Sequence, residues 1–172
     1  MKKFFKNAIV LTSIFVLLDF LTKLLILVQT PFPLELFGYY KKYYPTFYPI
    51  SEPFPFFNII LVWNNGVSFS MFANNSLIGR FALVGLSLAI TIYIIHLLKK
   101  ENDTLNRFSL ILIIAGALGN IFDRLRYGAV IDFLDFHIGI HHYPAFNVAD
   151  IYICVGVGLI ILNSIMKKKN KK

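Results

Sequence analysis

The residues best suited to chemistry here are carboxylates set beside apolar sequence. The chain has nine acidic residues, and four of them, Asp123, Asp132, Asp135 and Asp150, fall between Gly119 and Asp150. That stretch reads Gly119-Asn120-Ile121-Phe122-Asp123-Arg124, then Val130-Ile131-Asp132-Phe133, then Phe146-Asn147-Val148-Ala149-Asp150, and strongly apolar segments flank it. Ionised carboxylates next to hydrocarbon are unfavourable, so such a cluster calls for a reason. Two carboxyls sharing a site cannot easily both ionise, and one keeps a proton. The pair then offers a base for a water attacking a carbonyl and an acid for the oxyanion or leaving amine. Asp132 and Asp150 are the candidate pair.

Other chemistries fit these residues less well. No Gly-x-Ser-x-Gly or paired Ser/Lys arrangement offers a serine nucleophile. His141 and His142 are adjacent, so on a strand they point apart and lack the i, i+4 spacing of metal ligands. Neither a metal nor a cofactor is expected. The single cysteine, Cys154, cannot form an intramolecular disulfide, and its apolar surroundings predict a buried free thiol.

The elements that must hold these acids are membrane spans. With 172 residues, 57% of them hydrophobic, the chain reads as one domain too apolar for water. A mean hydropathy of +0.67 agrees. Behind the net charge of +8, most of the basic residues fall in clusters that border apolar runs: Lys2, Lys3 and Lys6, then Lys99, Lys100 and Arg107, then the lysines from Lys167 to Lys172. That is the pattern of cytoplasmic anchors. A nucleic-acid surface would interleave basic and aromatic residues on an exposed face, and that pattern is missing.

Apolar runs predict four spans at about 8–28, 77–98, 108–122 and 148–166, with both termini in the cytoplasm. The first carries Asp19 and Lys23 at i and i+4, able to pair on one face. They read either as a structural tether or as the lining of a cavity. Arg80 can snorkel from the second span, and His96 reads as an interfacial residue. The third run is short for a crossing: either the bilayer thins there or, the reading favoured here, Asn120, Asp123 and Arg124 lie within the membrane boundary at a water-accessible cavity. Gly116 and Gly119 give that helix a small face for close packing.

The segment 31–57 holds six of the seven prolines and eleven aromatics, which argues against a helix or central strand. It reads as an outer loop on the membrane surface, part of an outer loop and hairpin spanning 31–75. The runs 59–63 and 67–70 flank Asn64-Asn65-Gly66, a hairpin signal because Asn and Gly tolerate positive φ. Asn64 is then equally a turn residue or a site residue. Asp123, Asp132 and Asp150 all fall on the outer side, where the connecting loop is long enough to bring Asp132 and Asp150 together. From the residues alone, a hydrolase stands beside a small proton-coupled transporter and a non-catalytic assembly protein. The transporter would show carboxylates at mid-membrane in several spans, and the assembly protein would tolerate loss of its acids.

At these residues the chain closely resembles lipoprotein signal peptidases (signal peptidase II), the membrane aspartyl peptidases of prolipoprotein maturation. The matching motifs occur in family order: Asp19-x-x-Thr22-Lys23; Asn64-x-Gly66 followed by Phe69; Gly119-Asn120-x-x-Asp123-Arg124; Val130-x-Asp132-Phe133; and Phe146-Asn147-x-Ala149-Asp150. The resemblance implies an all-α membrane protein of four transmembrane helices with a small extramembrane β-cradle on the outer face. It implies Asp132 and Asp150 as the catalytic pair. Asp19, Lys23, Asn64, Gly66, Asn120, Asp123, Arg124 and Asn147 would bind substrate or support the site, with Asp123 structural and orienting Arg124. Asp135 matches no family motif and reads as a solvated loop acid. The implied substrate is a diacylglyceryl-modified prolipoprotein cut on the N-terminal side of its lipidated cysteine. The enzyme would act as a monomer in the bacterial cytoplasmic membrane, in contact with lipid, its site facing outward. Phe20 stands where many members carry Gln, Val67-Ser68 replace two alanines, and the loop 31–57 is longer than expected.

Overall fold

A computed structural model describes residues 2–31, 47–66 and 77–169. Four helices are long and apolar enough to cross a membrane: α1 (Lys2–Leu27), α2 (Leu77–Lys100), α3 (Thr104–Tyr127) and α4 (Val148–Lys169). Four antiparallel strands, β1 (Phe47–Phe54), β2 (Phe57–Asn64), β3 (Val130–Ile138) and β4 (His141–His142), lie in the order β1-β2-β3-β4.

The central helix is α3, buried along most of its length while its neighbours expose apolar side chains. Its 24 residues extend about 36 Å at ~1.5 Å per residue, enough to cross. The short run expected at 108–122 is therefore corrected at both ends. Asp103 caps the start, its Oδ1 accepting the Asn106 N–H at 2.9 Å. Gly128, in the left-handed region at φ +83°, ends the helix and donates to the Arg124 carbonyl. The hydropathy signal stops at Phe122 because the next turns carry polar side chains whose partners are protein groups rather than lipid.

Three glycines let the helices converge. A Cβ at Gly116 would meet the Ala149 carbonyl oxygen, and one at Gly119 would meet the Asp19 carboxylate. One at Gly156 would lie 2.7 Å from the Ser109 carbonyl oxygen. Such close backbone approach is how helices pack without a hydrophobic driving force between them.

The sheet sits on one end of the bundle. Leu61, Trp63, Ile131 and Phe133 bury themselves against Ile26, Leu27 and Tyr127, and the Trp63 and Tyr127 rings meet edge to face at 5.6 Å. At the opposite end Asn163 of α4 donates to Asp103 at 2.8 Å and to Asn106 at 2.9 Å, while Lys167 pairs with Asp103.

Two expectations for this region change. Part of the proline-rich segment is a strand: β1 contains Pro49 and Pro53. It is an edge strand, and its register with β2 is broken between Pro49 and Ser51 and again between Ser51 and Phe54. Proline is tolerated there because one side of an edge strand has no ladder to complete. The strand expected at 59–63 is present as β2, but its partners are β1 on one edge and β3 on the other. The second arm expected at 67–70, including Phe69, lies outside the described residues, as does most of the loop 31–57. Cys154 is exposed on the apolar surface of α4 rather than buried.

Candidate active site

The site forms where β3, the end of β2, the start of α4 and the last third of α3 meet. Asn147 precedes α4, and its Oδ1 accepts the Asp150 N–H at 3.0 Å while Asp150 Oδ2 accepts the Asn147 N–H at 3.2 Å. This is a reciprocal capping box, which satisfies two helix-end donors and fixes the Asp150 side chain in the first turn. A carboxylate there lies in the favourable field of the helix N-terminus.

The same Asn147 reaches the second acid. Its Nδ2 donates to Asp132 Oδ1 at 2.7 Å and to Asn120 Oδ1 at 3.1 Å. Asn120 in turn donates from Nδ2 to Asp150 Oδ1 at 2.8 Å. Asp132 Oδ2 receives the Asn64 amide at 2.8 Å. Asn147 thus bonds both Asp132 and Asp150. Burial, with Asp150 nearby, pushes the Asp132 carboxyl up to about 7 despite the hydrogen bonds from Asn64 and Asn147.

Asn64 serves as both turn residue and site residue. Its Oδ1 accepts the Gly66 N–H at 2.8 Å, which leaves Nδ2 aimed at Asp132. Gly66 sits at φ +76°, and a Cβ there would press on Leu83 at 2.7 Å, so the position favours glycine twice over.

A buried ionic cluster supports the site from α1. Lys23 Nζ lies 2.8 Å from Asp19 Oδ2 and 2.7 Å from Asp123 Oδ2, and donates to Asn120 Oδ1 at 3.4 Å. Asp19 Oδ1 accepts the Ala149 N–H at 2.9 Å, which ties α1 to the helix end bearing Asp150. Of the two readings of Asp19 and Lys23, the tether is the one this geometry supports. Asp123 is a corrected expectation. It is buried rather than at a water-accessible cavity, and it holds Lys23 and the Ile131 N–H at 3.2 Å. It therefore fixes the start of β3, one residue before Asp132. Arg124 donates to the Asn120 carbonyl at 3.4 Å, with its charge near Asp123, Asp132 and Asp150.

Asp135 is the other correction. It is a buried strand residue, accepting from Asn58 Nδ2 at 2.9 Å and paired with His142 Nδ1 at 2.9 Å. Burial works to raise its carboxyl, but the hydrogen bonds from His142 and Asn58 outweigh it and hold the group below the usual carboxylate range. Asn58 and His142 escape a reading of the sequence as partners, because only strand pairing brings them to Asp135, Asn58 from β2 and His142 from β4. The capping box Asn147-x-x-Asp150 is a signal the sequence did carry, since its spacing is a recognised helix start. Arg80, near the start of α2, donates to the Leu125 carbonyl near the end of α3. Among the described residues, no three His, Cys, Asp or Glu side chains converge as metal ligands.

A groove of about 350 Å³ lies between α1 and α3, lined by residues that include Leu17, Phe20, Leu118 and Phe122. Leu118 and Phe122 are two positions from Asn120 and Arg124, hence on the far side of α3 at ~100° per residue. The groove is therefore not part of this site.

Comparison with known proteins agrees with this architecture. The family model for signal peptidase (SPase) II matches residues 11–166. A lipoprotein signal peptidase of Ralstonia nicotianae is 42% identical over 155 residues, covering 90% of this chain and 81% of its own. One from Polynucleobacter necessarius is 48% identical over 124 residues, covering 71% of this chain and 76% of its own. A solved bacterial membrane enzyme superposes with a TM-score of 0.69 at 26% identity, over 97% of this chain and 92% of the other. With four spans, a capping sheet and this extent of sequence match, the chain belongs to the signal peptidase II family.

Proposed function

We propose that this protein is a membrane aspartyl endopeptidase that removes the signal peptide from diacylglyceryl-modified prolipoproteins. It cuts N-terminal to the lipidated cysteine, with Asp132 and Asp150 as the catalytic pair. The relatives named above are lipoprotein signal peptidases. The observation that carries the assignment is Asn147, which bonds Asp132 through its side chain and Asp150 through its backbone.

In this reading a water lies between the two carboxyls. Asp132, raised to about 7, holds the shared proton and donates it to the scissile carbonyl oxygen as charge develops. Asp150 takes the proton of the attacking water, and the pair passes it on to the leaving amine. Asn120 and Asn147 keep both acids oriented, and Arg124 supplies positive charge beside them. The chemistry needs no cofactor. The enzyme sits in the bacterial cytoplasmic membrane, its termini inside and its sheet outside, and works as a monomer.

The test is cleavage of a diacylglyceryl-modified prolipoprotein in detergent by Asp132→Asn and Asp150→Asn, each checked for folding by Trp63 fluorescence. Both should lose at least a hundredfold in rate. Wild-type cleavage by either folded variant would refute the pair.

A further inference from the structure

At the end of the sheet remote from Asp132, the β1–β2 and β3–β4 turns lie side by side. Phe57 faces Phe136 in the ladder, and the Phe56 carbonyl accepts the His137 N–H at 3.0 Å. The tip they form is apolar, and none of the described residues covers it. Ile138 and Ile140 are 85% and 89% exposed, with Phe54, Phe56, Phe136 and Tyr143 exposed beside them. The Phe54 and Phe56 rings stack at 5.6 Å, and Phe57 meets Phe136 at 4.7 Å. Neither 53–79 nor 136–149 contains an Asp, Glu, Lys or Arg, and the nearby Asp135 carboxylate is buried and paired with His142.

A surface of this kind is poorly suited to water, whereas uncharged aromatic and branched aliphatic side chains are stable at the headgroup boundary of a bilayer. The chain's connectivity limits what can cover it. The segment carrying β3 and β4 is pinned at both ends to spanning helices, by Tyr127 of α3 and Val148 of α4. Its nine-residue strand β3 reaches about 30 Å at ~3.3 Å per residue. The tip therefore stays within a strand's length of the membrane surface. The β2–β3 ladder holds the β1–β2 turn beside it.

We propose that this tip is a membrane anchor additional to the four spans. Ile138 and Ile140 enter the leaflet on the sheet side, and Phe54, Phe56 and Tyr143 sit among the headgroups. Strand β3 is then fixed at both ends, by Asp123 at its start and by lipid at its tip. Asp132 lies on that strand, so the anchor sets the height at which the acid pair meets a lipid-linked peptide. That last consequence rests on the function proposed above, but the anchor itself does not.

The test places the full chain in nanodiscs of phosphatidylcholine and phosphatidylglycerol. Cys154→Ser removes the exposed native thiol, and Ile140→Cys carries a nitroxide. Collision rates with oxygen and with a water-soluble nickel chelate are compared with those of a label at Asn102→Cys, in the exposed connection between α2 and α3. The oxygen-to-nickel ratio at position 140 should exceed that at position 102 several-fold. An equal ratio would mean water contact, and low access to both reagents would mean a protein contact, such as a second copy. Either result overturns the anchor. In the same discs Ile138→Asp with Ile140→Asp should raise KM for the lipid-modified prolipoprotein several-fold with kcat unchanged. An unchanged KM overturns the height-setting role. The depth measurement needs no catalysis, so failure of the anchor and failure of the peptidase assignment remain distinguishable.

Discussion

Replacing Asp132 by Asn should make the protein more resistant to unfolding at neutral pH while abolishing its proposed activity. In the folded chain Asp132 keeps its proton up to about pH 7, whereas its ordinary value is 3.8. Between those values the folded state binds more protons than the unfolded one, so stability falls as pH rises. The penalty is absent below pH 3.8 and complete above about pH 7. A shift of about three units at ~1.4 kcal/mol each gives a penalty of about 4 kcal/mol. The amide introduced by Asp132→Asn cannot ionise, so this slope disappears. It also sets its own NH2 against the Asn64 or Asn147 amide that donated to the carboxylate, and loses one hydrogen bond of about 1 kcal/mol at every pH. The assay is thermal unfolding of both proteins in detergent from pH 4 to pH 8, followed by the fluorescence of Trp63, the one tryptophan of the chain, buried in the core under the sheet. At pH 4 the variant should be equal to wild type or slightly weaker. By pH 8 it should melt about 10 °C above wild type, given ~2–4 °C per kcal/mol for a chain of this size. Groups common to both proteins cancel in the comparison. Parallel melting curves across the range would refute the raised Asp132 carboxyl and, with it, its role as holder of the shared proton.

Lys23→Met should destabilise by about 3–5 kcal/mol, because Asp19 and Asp123 would remain buried without their shared cation. A melting point within about 2 °C of wild type, less than 1 kcal/mol at this chain length, would contradict that pairing. Adding Asp123→Asn to the same variant should recover part of the loss. Gly119→Ala puts a methyl against the Asp19 carboxylate, and overpacking of this kind costs about 1–3 kcal/mol. It should lower the melting point and reduce cleavage by shifting Asp19 from the Ala149 N–H, and full retention of both would show that α1 and α3 are less closely apposed. Asp135→Asn should leave the cleavage rate within about twofold of wild type, since Asp135 bonds Asn58 and His142 rather than the acid pair. A large loss of rate would bring Asp135 into the chemistry.

Much of this molecule is legible in the chain itself. Apolar runs of bilayer length mark the helices because lipid offers no hydrogen bonds and so forces backbone pairing within each span. The basic clusters mark where the runs end. The i, i+4 spacing of Asp19 and Lys23 identifies their pair, since both partners lie about one helical turn apart. Asn64-Asn65-Gly66 marks a positive φ at Gly66, which is a local property. The reading fails where the partner of a group is distant in sequence. The third span reads as stopping at Phe122 only because hydropathy counts Asp123 as a charge facing lipid, whereas Lys23, on a different helix, neutralises it. Asp135 reads as solvated for the same reason, its partners Asn58 and His142 being supplied by neighbouring strands.

The sequence by itself determined that four helices are long and apolar enough to cross a membrane. Periodicity, hydropathy and local pairing are sums over neighbouring residues, so they survive without a fold. Tertiary structure alone decided which acids share a site. Asp132 stands on a strand and Asp150 on a helix, and they meet because Asn147 caps that helix while donating to the strand carboxylate. The same folding turned Asp123 and Asp135 into buried structural partners. Whether a carboxyl is buried, paired or raised towards neutrality depends on what surrounds it in space, and only packing supplies that.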